Sequence, residues 1–249
     1  MPAAFLQVSL RAPGQGLLEL SEFYRTCLGF ERALEGAQPE RRGAAFDVGE
    51  CVLEFLPGSG SPFYHVALLG PGNRFDAMLD WADSRVELLP DGETGDTVFD
   101  FANWDAKACY FHDPAGNIVE LIAHRGVGES DATGVFTAAE LCGVSEVGLV
   151  GEPPALAATL ARELGLELWD GTTTGERRLA FVGEKARTLI LCRAGRPWLP
   201  TGRPAEAHPV EVTLAGLPAG EVVLDTGGFV RRRGRSTRAD AGTAEGGRS

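Results

Sequence analysis

The chain has 249 residues, of which 44% are hydrophobic and 23% are charged, as is typical of a globular protein with room for one or two domains. Its formal net charge of −12 repels nucleic acids and anionic membranes, so neither is an expected partner. The sequence contains no apolar run of about 18 residues and does not begin with the features of a signal peptide. We therefore expect a soluble, cytoplasmic protein.

The first elements form a unit of one strand, one helix and three further strands. Residues 5–12 alternate as a strand does, and apolar side chains recur at helical spacing over residues 17–28. Gly29 follows at the position that commonly ends a helix. Three strand-like runs then cover residues 30–34, 43–48 and 51–56.

The same order of elements begins again twice. Residues 63–69 are a predicted strand, residues 73–84 a predicted helix, and residues 108–124 a predicted closing hairpin. A third round begins at Val144 and includes a predicted helix over residues 153–164. A repeat of roughly 60 residues indicates structural units that cannot bury their sheet faces alone, so we expect the units to pair.

The hairpin carries a carboxylate, Glu120, within an apolar run. The turn Asp113-Pro114-Ala115-Gly116-Asn117 favours a reversal of the chain. Strand alternation then predicts one face that consists of Tyr110, His112, Ile118, Glu120 and Ile122. A carboxylate on such a face must be ion-paired, protonated or bound to a metal, because burial of a lone charge is costly.

Two segments resemble the vicinal oxygen chelate superfamily, which includes glyoxalase I, fosfomycin-resistance enzymes, bleomycin-binding proteins and extradiol dioxygenases. SEFYRTCLGFE begins at Ser21 and is similar to the family's helix-to-strand signature. YFHDPAGNIVELI begins at Tyr110 and is similar to its closing hairpin. The resemblance implies an α+β fold in which paired βαβββ modules form an incomplete barrel. It also implies that residues 1–126 form a complete domain of two modules.

The resemblance further implies one divalent metal ion, with Zn, Ni, Co, Mn and Fe as candidates, in the barrel mouth. The family's ligand positions fall on Gln7, Glu54, His65 and Glu120. Nitrogen and oxygen ligands on rigid strands suit such an ion. Each residue also has a plain structural reading: Gln7 bonding a neighbouring backbone group, His65 packing in a core, Glu54 facing solvent, or Glu120 pairing with Arg11.

The first ligand position separates the expected chemistries. Gln7 stands where ring-cleaving dioxygenases of the family have a histidine, which favours a glyoxalase-like lyase or isomerase. There the metal is a Lewis acid toward a small substrate with vicinal oxygens, and Glu120 or Glu54 moves the proton. The alternatives are an Fe(II) extradiol-type dioxygenase and a non-catalytic protein that binds an antibiotic, as bleomycin resistance proteins do.

Three further residues are candidates for a substrate pocket. Trp104 belongs to an aromatic insert before the hairpin, and Tyr110 and His112 lie on the hairpin's predicted Glu120 face. Tyr110 is expected to oppose Glu120, although a slip of one residue in register would turn it away. Each of the three could instead only pack.

The last third of the chain resembles a second copy of the domain that has lost part of its last module. The aligned segments place Glu146, Leu191, Glu211 and Leu224 where Gln7, Glu54, His65 and Glu120 stand. We therefore expect no second metal site. Residues 142–230 are predicted to be a third, degenerate module region that packs against the first domain or forms a homodimer contact. Residues 231–249 are predicted to be a disordered basic tail.

Overall fold

The computed structural model describes residues 4–33, 43–176, 178–216 and 218–234. The helices are α1 (Leu17–Glu22), α2 (Phe75–Asp83) and α3 (Pro153–Leu164). The strands are β1 (Phe5–Pro13), β2 (Ala44–Val48), β3 (Cys51–Gly58), β4 (His65–Gly70), β5 (Phe99–Phe101), β6 (Ala106–His112), β7 (Ile118–His124), β8 (Gly143–Val150), β9 (Leu168–Gly171), β10 (Ala180–Glu184), β11 (Arg187–Cys192), β12 (Val210–Ala215), β13 (Gly220–Val223) and β14 (Phe229–Arg233).

The predicted helices are present, with one change of geometry. Helix α1 continues as a π-helical turn over Phe23–Cys27, and Gly29 follows with a φ of +74°. Helix α3 has the predicted limits, and Gly165 ends it with a φ of +61°. Glycine suits both ends because a side chain disfavours positive φ. No helix among the described residues is long and apolar enough to cross a membrane.

The strands form two sheets, and both contain parallel and antiparallel pairs. Sheet A has the order β13-β14-β12-β1-β3-β2, and sheet B has the order β5-β6-β7-β4-β8-β11-β10-β9. Sheet B is curled, as shown by the approach of its two edges: the indole of Trp104, near one edge, donates a hydrogen bond to Asp170 on the opposite edge strand. This is the predicted α+β fold with an incomplete barrel.

The units pair in a different way from the one the sequence suggests. Taken in chain order, the units begin with strands β1, β4, β8 and β12 and are numbered first to fourth. The first unit joins the fourth through β1 and β12, and the second joins the third through β4 and β8. Each sheet therefore contains strands from both of the ranges, 1–126 and 142–230, that were expected to form separate domains. The fourth unit consists of β12, β13 and β14 without a helix before β13.

The prediction of a disordered tail from residue 231 is wrong for its first three residues. Arg231, Arg232 and Arg233 belong to strand β14, which pairs in parallel with β12. The guanidinium of Arg232 is buried and donates a hydrogen bond to the carbonyl of Leu164 at the end of α3. The rest of the predicted tail, residues 235–249, lies outside the described residues.

The main hydrophobic core lies between the two sheets. Val8 and Leu10 of β1 and Val66 and Leu68 of β4 belong to this one cluster. Because side chains alternate along a strand, the residues between them face away from the shared core. Ala67 accordingly belongs to a second apolar cluster on the other face of sheet B. The outer faces of the two sheets are therefore separate surfaces, with the core between them.

Candidate metal centre

Three strands of sheet B bring a histidine and two glutamates together. Ala67 of β4 pairs with Glu120 of β7 on one side and with Glu146 of β8 on the other. His65 lies two residues before Ala67 and therefore shares its face. One ligand atom from each of His65, Glu120 and Glu146 lies within 4.8 Å of the others. The three side chains are buried, with 5%, 2% and 3% of each residue exposed, in that order.

The two carboxylates face each other away from water. Burial, and the nearby charge of Glu120, raise the pKa of Glu146 well above its ordinary value. The Nε2 atom of His65 lies 3.3 Å from Oε2 of Glu120, whereas its buried Nδ1 atom has no hydrogen-bond partner. Two buried carboxylates of like charge need either a proton or a cation between them.

This donor set fits a divalent cation. An imidazole nitrogen and two carboxylates on rigid strands are ordinary ligands for Zn, Mn, Fe and related ions. A dication would neutralise both carboxylates at once, and a ring nitrogen of His65 would be its third donor. The neighbouring Tyr110 pairs with Glu120 across β6 and β7, and its hydroxyl forms a hydrogen bond to that carboxylate. The predicted hairpin register is thus confirmed.

The other two predicted ligands lie on sheet A. Ser9 of β1 pairs with Glu54 of β3, and Gln7 lies two residues before Ser9. The Nε2 atom of Gln7 donates a 3.0 Å hydrogen bond to Glu54, and the hydroxyl of Ser9 donates one of 2.7 Å to the same oxygen. Because the first unit pairs with the fourth, the outer face with Gln7 and Glu54 is separated by the core from the face with His65 and Glu120. The four residues do not meet at one centre.

Glu146 is the member of the cluster that the sequence analysis set aside. Alignment had placed it at the position of Gln7, but no second site was expected because the leucines Leu191 and Leu224 aligned with two of the other ligand positions. The alignment was therefore a usable signal. What it lacked was the antiparallel pairing of β4 with β8.

Strand register corrects two other aligned positions. Ser9 pairs with Glu54 in the first unit. Gly148 of the third unit aligns with Ser9, and it pairs with Ile190. Ile190 therefore occupies the fourth ligand position, where Leu191 was expected. In the fourth unit, Thr213 aligns with Ala67, which pairs with Glu120. Thr213 pairs with Arg231, so Arg231 occupies the position of Glu120, where Leu224 was expected.

The remaining pocket candidates are dispersed. Trp104 lies at the seam between the edges of sheet B, where its ring contacts Trp169 and Phe181 and stacks on His124. His112 is exposed near the turn, and its Nδ1 atom lies 3.2 Å from the carbonyl oxygen of Asn117. Only Tyr110 of these candidates contacts the cluster of His65 and the two glutamates.

A tryptophan that the sequence analysis did not single out covers the cluster. Trp198 lies between β11 and β12, and its ring centroid is 5.0 Å from that of His65. A Cβ atom on Gly148 would lie 2.9 Å from the indole, so glycine at this position leaves room for the ring. No periodic pattern surrounds Trp198, because the connecting segment that carries it is not a regular strand or helix.

Comparison with solved structures shows likeness at the level of the fold. No protein-family model and no curated protein matches the sequence. A "putative dioxygenase" from Bacillus subtilis is 14% identical, with a TM-score of 0.57, over 93% of this chain and 84% of that chain. Glyoxalase I from Zea mays is 12% identical, with a TM-score of 0.54, over 92% of each chain.

Proposed function

Since the chain has the fold of the vicinal oxygen chelate superfamily, we propose that it is a metal-dependent enzyme of the glyoxalase type, a lyase or isomerase. Its substrate is a small molecule with two adjacent oxygens. The single observation that supports this proposal best is the buried cluster of His65, Glu120 and Glu146, whose donor atoms lie within 4.8 Å of one another.

The three residues would hold one divalent ion, which supplies Lewis-acid polarisation of adjacent substrate oxygens. Three protein donors leave coordination positions open for a substrate, as catalytic metal sites require. Ile190 occupies the fourth family position and offers no donor. In this arrangement the substrate's two oxygens, rather than a fourth side chain, complete the set.

Glu120 is the carboxylate that we propose as the base. Its side chain contacts His65 and accepts a hydrogen bond from Tyr110. That hydrogen bond restricts the orientation of the carboxylate, so the oxygen that takes a proton from the substrate carbon is held in position. Glu54, the second base candidate from the sequence, is engaged by Gln7 and Ser9 on the other sheet.

An Fe(II) extradiol-type dioxygenase is the second candidate function. The observation that favours it is the donor count, because such centres use three protein ligands and keep positions open for oxygen and substrate. Against it stands the composition of the cluster, which has one imidazole and two carboxylates instead of two imidazoles and one carboxylate.

The test combines metal analysis with two assays. Metal-free protein is reconstituted separately with Zn, Ni, Co, Mn and Fe(II), and bound metal is measured per chain. Each form is then assayed for isomerisation of 2-oxoaldehyde thiol adducts and for oxygen uptake with catechols. We expect one equivalent of metal and metal-dependent isomerisation. Absence of stoichiometric metal would refute the proposal, and oxygen uptake by the iron form alone would establish the second candidate.

A further inference from the structure

The segment between β11 and β12 forms a small hairpin over the outer face of sheet B. Its two arms are joined by backbone hydrogen bonds from Trp198 to Arg203, at 2.9 Å, and from Ala205 to Arg196, at 2.7 Å. Leu199, next to the buried Trp198, is 40% exposed. One surface of the hairpin thus faces solvent, and on the other surface the side chain of Trp198 packs against the outer face of sheet B.

The indole of Trp198 fills the space directly above the donor cluster. It is tilted 32° from the ring of His65 and is 4% exposed. Gly148 and Ala67 lie on the same sheet face, and neither has a side chain large enough to compete for this volume. Because the indole lies over the three buried donors, it closes them off from solvent on this side of the sheet.

The hairpin is attached to the outer face of sheet B by the buried side chains of Trp198 and Ala205, which belong to the apolar cluster there, and by polar contacts at its edge. The guanidinium of Arg203 lies 3.3 Å from the ring centroid of Phe63 and donates a 3.2 Å hydrogen bond to the carbonyl of Gly116. Because the hairpin is not a strand of either sheet, its displacement would break the contacts of Trp198, Ala205 and Arg203 and leave the strand pairing of both sheets intact.

We propose that Trp198 is the specificity-determining residue of the candidate site: it is a movable roof that limits the size of the molecule reaching the donors. The inference rests on the proposed function, because it assumes that a ligand binds at the cluster. A molecule whose two oxygens are carried by a small skeleton fits below a slightly displaced indole. A molecule with a ring attached to the same oxygens requires the volume that the indole occupies.

Two chelators with the same oxygens and different bulk provide the test. Acetohydroxamate carries a methyl group on the chelating group, and benzohydroxamate carries a phenyl ring there. Their affinities for the metal-loaded protein are measured by calorimetry. We expect Trp198→Ala to strengthen benzohydroxamate binding at least about tenfold, the usual scale of pocket discrimination. Acetohydroxamate affinity should change by less than about threefold, since its fit does not depend on the indole.

Trp169→Ala is the matched control, because this tryptophan lies in the same sheet and its ring contacts Trp104. It should leave the ratio of the two affinities unchanged. Trp198→Phe keeps an aromatic roof of smaller area and should give an intermediate ratio, which also covers the case in which the alanine variant does not fold.

The outcomes separate the two proposals. If wild-type protein binds no metal, the proposed function is refuted before either chelator is used. If metal is bound but Trp198→Ala and Trp198→Phe leave the ratio at the wild-type value, Trp198 does not set the size limit. Equal strengthening of both chelators would likewise refute size selection, since it would indicate access without discrimination.

Discussion

The outer faces of the two sheets carry the same arrangement of strands with different chemistry. In sheet B, Ala67 lies between Glu120 and Glu146. In sheet A, Ser9 lies between Glu54 and Glu211 in the corresponding register. His65 and Gln7 occupy equivalent positions, so each face has two carboxylates beside a central residue and a histidine or a glutamine two residues before that residue.

The difference lies in how the carboxylates are satisfied. In sheet A, Glu211 forms an ion pair with Arg11, and Glu54 accepts hydrogen bonds from Ser9 and Gln7. In sheet B, the residues equivalent to Ser9 and Arg11 are Ala67 and Leu69, which offer neither a donor nor a charge. Glu211 thus has a protein cation beside it, whereas among the described residues neither Glu120 nor Glu146 forms an ion pair with a lysine or an arginine, which favours a cation from outside.

The largest expected effect separates the two faces directly. Glu146→Gln removes a charged donor from sheet B, and we expect metal affinity to fall by more than about a hundredfold, beyond the loss typical of supporting residues. Glu54→Gln makes the same chemical change on sheet A and should leave metal affinity within about twofold. Both are measured by competition with a coloured chelator. Equal losses in the two variants would mean that the sheets do not differ in this way.

The ion pair of sheet A gives the next effect. Arg11→Leu leaves the side chain of Glu211, which is 11% exposed, without this cation, and should lower the free energy of unfolding by about 2 kcal/mol. Arg11→Leu combined with Glu211→Gln should recover much of the loss. Urea denaturation measures both. Arg162→Ala, which breaks an exposed pair with Glu163, is the control and should change stability by less than about 1 kcal/mol.

The pH dependence of stability has a source on sheet B that sheet A lacks. Burial, with a smaller contribution from Lys185, lowers the pKa of His124 to about 4, and Gly58 stands at the equivalent position of sheet A. Below about pH 6.5 the unfolded chain binds a proton that the folded chain excludes, so stability falls as pH decreases to about 4.

His124 should contribute a slope of at most about 1.4 kcal/mol per pH unit in that window. The slope is obtained from urea denaturation at several pH values. His124→Phe should reduce it, and His112→Phe, at an exposed histidine, should not. An unchanged slope in the His124 variant would exclude this residue as its source.

The smallest effect concerns a hydroxyl beside Glu146. Thr188 pairs with Glu146 in the parallel ladder of β8 and β11, and its buried Oγ1 atom has no hydrogen-bond partner. Thr188→Val keeps the shape of the side chain and removes the unpaired hydroxyl. The free energy of unfolding of the metal-free protein, measured by thermal denaturation, should therefore rise by about 1 kcal/mol. Thr213→Val, at a buried threonine of sheet A, is the matched control. A loss of stability at position 188 would show that the hydroxyl has a partner.

Local features of the fold could be predicted because they depend on neighbours in the chain. The turn at residues 113–117 forms as expected, and the carboxylate of Asp113 accepts hydrogen bonds from the backbone of Ala115 and Asn117. The pairing of Tyr110 with Glu120 follows from that turn, because the length of a hairpin loop sets the register of its strands.

Part of the site was predictable for the same reason. His65 and Glu120 belong to one unit, and their strands pair within it, so sequence analysis placed both correctly on one face. Gln7 and Glu54 were likewise predicted to lie together, but the prediction of a single set of four ligands was wrong, because the two pairs lie on different sheets. Periodicity does not separate the two pairs, because a strand pattern identifies an apolar face without identifying the neighbouring strands or sheet.

The sequence by itself determined the repeating order of strands and helices, the turn before Glu120 and the strand face on which Glu120 lies. These follow from alternation, helical spacing and turn chemistry, all of which act over a few residues. The tertiary structure alone decided that the second unit pairs with the third, which brings Glu146 to His65 and Glu120 and sets Trp198 above them. Pairing between units depends on the fit of whole sheet edges and core faces, and no short stretch of sequence records that fit.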